Sequence, residues 1–285
     1  MALAGRGRFF AAAASWAGRL VFCVAVAVAL LAPLLAPYGE AQIVGQAFDP
    51  WGSAHWLGTD ALGRDVASRL IFGARTTIGI AAATTLLSAF IGCTLGLLAA
   101  SVGGLPDQVL SRVVDVLVSV PQLIFALLAL TIFGTSTLAL ISITAALDST
   151  RFVRLVRSAA IGVAVLDYVE AARLRGEGLG WIMGREILPN IAVPVAAEFG
   201  ARFGFVFLFV SSLSFLGLGI QPPLADWGSM VRETSGLLAF GDITPVIPAL
   251  AIALVSVSVS AMVEWLVPQG GPQEGHQGGH QGSAR

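Results

Sequence analysis

Long apolar runs separated by short polar stretches set the organisation of this chain. The runs occupy residues 20–37, 78–100, 113–134, 135–147, 191–219 and 243–267. A helix of about 20 apolar residues crosses the hydrocarbon core of a bilayer, so most of these runs predict spans. Residues 78–100 form the clearest case, 23 positions without a charge. Residues 20–37 sit near the minimum length. The run at 135–147 is short and spans only if its helix continues through residues 148–157. Pro121 predicts a kink in the third run, while Pro245 and Pro248 fall in the first turns of the last, where proline is tolerated. The pattern therefore predicts an all-α membrane protein with six transmembrane helices and both termini on one side.

Composition agrees. The chain has 285 residues, 56% apolar and 12% charged, with mean hydropathy +0.85; a soluble domain carries about 25% charged residues. All 16 basic residues are arginine. With the N-terminus cytoplasmic, six spans put 11 of them inside, Arg64, Arg69, Arg75 and Arg232 outside and Arg202 within a span. That bias satisfies the positive-inside rule. The domain plan is a cytoplasmic segment 1–19, a first span 20–37, an external loop and amphipathic segment 38–77, a five-helix domain 78–267 and a disordered cytoplasmic tail 268–285. A cleaved signal peptide competes for the first run, but Pro33 and Pro37 stand where a small-residue cleavage site belongs, which favours a retained helix.

Candidate chemistry is sparse. Cys23 and Cys93 lie in apolar runs, and His55, His276 and His280 lie outside every span. A disulfide framework, a metal site and a histidine proton relay are not expected. Within the membrane, Asp115 is expected to pair with Arg112, and Glu198 with Arg202 at i,i+4 spacing near the cytoplasmic end. Gly92 and Gly96 form a GxxxG pair suited to close helix packing. Arg151, Arg154 and Arg157 make a basic stripe leaving the membrane.

The longest polar interval of the second half is DYVEAARLRGEGLGWIMGREILPN, residues 167–190. Asp167 predicts an N-cap, with Glu170 at capping-box spacing. Gly176 predicts the stop of a first short helix, and Gly178 and Gly180 a turn. A second short helix follows until Pro189, which biases Leu188 out of the helical region, and Asn190 predicts a cap for the next helix. From composition alone this could be an ordinary inter-helix loop.

Three motifs carry a resemblance. Glu170-Ala171-Ala172, Gly176 and Ile187-Leu188-Pro189-Asn190 resemble the EAA loop of ABC-importer permeases. Before the second run, LGTDALGRDVASRLIFGAR, with Thr59, Asp60, Gly63, Arg64, Asp65, Arg69, Gly73 and Arg75, is similar to the signature of dipeptide, oligopeptide and nickel importer permeases. From the residues alone, that stretch reads as a solvated amphipathic segment with Asp60 as a helix cap. SFLGLGIQPP at residues 214–223 and ADWGSM at 225–230 continue the same likeness.

The resemblance implies a type I ABC importer permease fold of the C type. It implies a homologous second permease, two cytoplasmic ATPase subunits and an external solute-binding protein, with no nucleic-acid partner. Residues 167–190 would seat in the ATPase, Ala171 and Ala172 permitting close docking. No cofactor is expected: ATP would bind the partners, since this chain has no GxxxxGK[ST] phosphate loop. Peptides are the expected cargo, with nickel or another small solute behind. The chain departs from the pattern at Gly176-Glu177-Gly178, at Arg185-Glu186 and in its last helix, which ends AMVEWLVPQGG. A secondary transporter would need inverted repeats, and an intramembrane enzyme a catalytic group; neither signal is present.

Overall fold

A computed structural model describes residues 2–266, which are helical wherever they are regular. The last residue expected in the final span, 267, and the expected tail 268–285 lie outside the described residues. Helix α1 (Ala2–Leu35) is followed by the loop, then α2 (Val66–Val102), α3 (Gly104–Ser119), α4 (Gln122–Phe133) and α5 (Thr137–Ala164). The polar interval holds α6 (Asp167–Leu174) and α7 (Leu179–Trp181), and after it come α8 (Ala192–Phe215), α9 (Trp227–Thr234) and α10 (Val246–Leu266). Trp16–Leu35, Val66–Val102, Leu179–Phe215 and Val246–Val263 are long and apolar enough to cross a membrane. The pair α3 and α4 makes a fifth crossing if counted as one span. Helix α5, 28 residues or about 42 Å long, falls short of the same standard because it carries Asp148, Arg151, Arg154 and Arg157.

Helices α2 and α5 form the spine. Ser88 bonds Asp148 at 3.0 Å, Gly92 faces Phe152 and Gly96 faces Val156. The constant offset between partners means that the two helices run side by side in the same direction. The expected GxxxG pair lets their backbones approach: a Cβ on Gly92 would lie 2.3 Å from Phe152 Cβ and 2.7 Å from the Ser149 carbonyl. Gly204 against Val259 and Gly200 against Val263 make the corresponding contact between α8 and α10, running oppositely. Helix α1 lies over this group, with Gly18 against Ser258 and Ala261 and Phe22 edge-on to Phe203.

The third run does more than kink. At Pro121 the chain turns by 92°, because proline offers no N–H and holds Val120 extended at φ −89°, ψ 133°. The turn sends α3 across the bundle against α5. Asp115 therefore meets Arg154 at 2.7 Å, rather than its expected partner Arg112. Asp107 takes Arg157, with Nη2 to Oδ2 at 2.7 Å. Two of the three arginines in the basic stripe are thus tied to α3.

Apolar side chains gather into two cores. The upper one joins α1, α2, α4, α5, α8, α9 and α10 around Ala81, Leu130, Leu140, Phe207 and Val210. The lower one joins Leu97 of α2, Val156 and Ala160 of α5 and the polar interval itself.

Candidate functional site

The interval 167–190 is built as expected at its turn and differently at its ends. Helix α6 starts after Leu166, and Asp167 makes no side-chain cap. The expected capping box is absent, and Asp167 and Glu170 instead place negative charge in the first turn, beside the positive end of the helix dipole. The stop is at Gly176, with φ +84°, a conformation that costs L side chains. Gly176 N–H donates to Arg173 O at 2.9 Å and Glu177 N–H to Ala172 O at 3.2 Å, the paired bonds of a Schellman motif.

The second arm is the single turn of α7, then a π-helix at Ile182–Ile187 and a 3₁₀ turn at Leu188–Ile191. Pro189 lacks the N–H that an α-helix would present to Arg185 O, and the chain meets this by widening and then tightening rather than by stopping. Leu188 consequently stays helical at φ −57°, ψ −42°, against the expectation of an extended residue. Asn190 does not cap α8; its amide donates back to Glu186 O at 2.6 Å.

One face of the interval is anchored in its own chain. Val169, Ala172, Ile182, Ile187 and Ile191 are buried in the lower core with Val156, Ala160 and Ala164 of α5. Ala172 therefore packs inward, whereas Ala171 and Glu170 face out. The opposite face is exposed and apolar in part: Leu174 is 83% exposed, and Tyr168, Leu179 and Trp181 are open as well. Arg175 lies 4.0 Å from both Glu177 and Glu186, exposed pairs of small energetic weight.

The second set of sequence-selected residues is not a solvated amphipathic segment. Asp60, Arg64 and Arg69 are all buried. Asp60 accepts from Leu62 N–H at 2.8 Å, Arg64 N–H at 3.0 Å and Arg64 Nε at 2.7 Å, and also pairs with Arg69. Glu233 of α9 receives Arg69 at 2.8 Å and Arg64 at 3.4 Å. Burial pushes the Asp60 carboxyl up. The N–H bonds from Arg64 and Leu62, with the guanidinium charges of Arg69 and Arg64, outweigh it and hold the group below its ordinary 3.8. With Asp60 so engaged, the cap of α2 is Asp65, which accepts Ser68 N–H at 2.7 Å. Thr59 Oγ1 accepts Asp49 N–H at 2.8 Å, and Gly63, at φ +74°, lets Gly45 O approach. Gly73 makes room for Trp227, whose Nε1 donates to Leu70 O at 2.8 Å. Arg75 is exposed on α2, apart from this cluster. The 38–77 loop and α9 are thus one knot, separate from residues 167–190.

Sequence reasoning missed Glu233, whose partners lie more than 160 residues away, and Asp226. Asp226 is fully buried, accepts from Thr77 at 3.0 Å and caps α9 through Ser229 N–H at 2.8 Å. The Asp-x-x-Ser spacing was a usable signal for that cap. It also missed Asp148, which joins the expected Glu198–Arg202 pair at 3.6 Å from Arg202. Arg202 is the eleventh residue of the 24-residue α8, so this cluster sits near the middle of that helix.

Residues 92–269, more than half of the chain, match the family model described as "Binding-protein-dependent transport system inner membrane component". The chain belongs to that family. This permease is a multi-pass inner-membrane component of an ABC transport system. It is 34% identical over 249 residues to a glutathione transport system permease protein of Pectobacterium atrosepticum, covering 87% of this chain and 83% of that one. It is 31% identical over 240 residues to a dipeptide transport system permease protein of Alkalihalophilus pseudofirmus, covering 84% and 79%. A solved amino acid ABC transporter with histidines aligns with 70% of the permease and 92% of its own chain, at 21% identity and TM-score 0.49.

Proposed function

We propose that this permease carries small peptides inward and that residues 167–190 couple it to ATP hydrolysis. The observation that carries the reading is the two-sided build of this interval. Its inner face is packed into the lower core, and its outer face leaves Tyr168, Leu174, Leu179 and Trp181 open among the described residues. A glycine-turned pair of short arms held from behind can receive a push without unfolding. On this reading Gly176 sets the turn, Glu170 and Ala171 lie on the docking face, and Ala172, Ile187 and Leu188 tie the arms to the bundle. Pro189 and Asn190 shape the return into α8.

The proposed architecture counts α5 as a sixth span and puts both termini in the cytoplasm, which carries residues 167–190 to the ATPase side. Alternating access follows: ATP closes two ATPase subunits, the 167–190 arms move with them, and this permease and a homologous second one open outward to accept a peptide from an external binding protein. The 38–77 loop, knotted to α9 through Asp60, Arg64, Arg69 and Glu233, supplies a stiff outer surface for that delivery. The names of the dipeptide and glutathione relatives favour small peptides as cargo.

The experiment is extraction of tagged permease from its native membrane in mild detergent. Copurification of a second permease and of ATPase subunits, with dipeptide uptake lost when the gene is deleted, is expected. A purified transporting complex without any ATPase would contradict the reading and favour a secondary transporter.

A further inference from the structure

The two apolar cores are separate groups, and the interval between them falls at one level on three helices, where Phe152 and Val153 of α5 are the buried apolar side chains among the described residues. On α2 the upper core ends at Ala82 and the lower begins at Cys93; on α5 the corresponding residues are Leu147 and Val156. On α8, which runs the other way, the lower core ends at Val195 and the upper begins at Phe203. Each gap holds polar side chains: Ser88 on α2, Asp148 on α5, Glu198 and Arg202 on α8. Ser88 Oγ donates to Asp148 Oδ2 at 3.0 Å, Arg202 Nη1 lies 3.6 Å from Asp148 Oδ1, and Arg202 Nε lies 3.1 Å from Glu198 Oε1. Asp148 is fully buried, while the side chains of Arg202 and Glu198 are 16% and 21% exposed.

This layer stands where mechanical continuity is needed. Helix α5 leads into residues 167–190 and α8 leads out of them, and the lower core is what that interval rests on. Above the lower core, the charged link at Asp148 ties α5 to α8. Charged groups at this depth are costly and are functional candidates by default. The guanidinium lies within ion-pair reach of both carboxylates, yet Nε and Nη1 make no hydrogen bond.

We propose that Arg202 is a positioning residue for transport. By bridging Asp148 and Glu198 it makes α5 and α8 move as one lever, so that displacement of the 167–190 arms reaches the upper core. The inference rests on the coupling role proposed above. It differs from a static pin, because a pin is replaceable by any neutral, well-packed layer. Buried ion clusters exchanged for neutral side chains of similar volume often keep their stability.

The test is the triple variant Asp148→Asn, Glu198→Gln, Arg202→Met in the complete transporter, reconstituted in lipid vesicles with its binding protein. Dipeptide uptake and ATP hydrolysis are measured together. The lever predicts normal assembly and retained hydrolysis, with ATP spent per peptide rising about tenfold, within the range of ordinary coupling free energies. Unchanged ATP per peptide in the assembled triple variant overturns the inference. If the triple variant does not assemble, Arg202→Lys decides, since it keeps the charge and loses the fork that reaches both acids; a raised ratio supports the lever and an unchanged one overturns it. A wild-type complex whose uptake ignores ATP would instead remove the coupling reading itself, a result visible before any variant is made.

Discussion

Valine at Gly92 is expected to destabilise the fold severely. The substituted Cβ would stand 2.3 Å from Phe152 Cβ and 2.7 Å from the Ser149 carbonyl oxygen. Overpacked cores commonly lose about 1–3 kcal/mol through side-chain adjustment. Here one obstacle is backbone, so α2 and α5 must separate, and separation also strains the Ser88–Asp148 bond and the Gly96–Val156 contact above and below. The expected loss is at or beyond the top of that range, seen as a collapse of monodisperse protein on size exclusion in detergent and a lowered Tm. Gly79→Val is the control on the same helix, because no described atom lies within 4 Å of its Cβ. Equal behaviour of the two variants would mean that the α2–α5 spine is misplaced.

Aspartate at Gly176 is expected to have the opposite signature, sound folding with failed transport. No described atom lies within 4 Å of a Cβ there. The cost within the permease is therefore the left-handed backbone at φ +84°, about 1 kcal/mol, and aspartate tolerates that region better than most. The effect falls on the partner: a charge and a side chain project from the turn where the arms would dock. Uptake should fall roughly tenfold, which needs only about 1.4 kcal/mol of lost docking, while the amount of folded permease is unchanged. Uptake at the wild-type level in the Gly176→Asp variant would remove Gly176 from the coupling role.

What the sequence made legible was local. The stop at Gly176, the GxxxG pair at Gly92 and Gly96, the break at Pro121 and the Glu198–Arg202 pair each depend on residues a few positions apart, where helix geometry alone decides. The expectations that failed depend on chain brought from far away or on competition for one group. Asp60 could not cap α2 because Arg64, Arg69 and the distant Glu233 had already claimed its region, and Asp65 took the cap. Asp115 left Arg112 for Arg154 because the sharp turn at Pro121 lays α3 on α5. Leu188 and Asn190 depart from expectation because Pro189 does not end the helix; the chain absorbs it in a π-to-3₁₀ transition. Ala172, expected to permit close docking, sits on the face of α6 that packs into the lower core. Asp148 gave no warning: its partner is on another helix, more than 50 residues on.

The central claim is that the outer face of residues 167–190 meets an ATPase. Leu174, 83% exposed at the end of the first arm, is the place to ask. A photo-cross-linking amino acid substituted there, in intact cells expressing the complete transporter, is predicted to form a covalent adduct with an ATPase subunit. An adduct with the external binding protein, or with lipid alone while the transporter remains active, would contradict the claim.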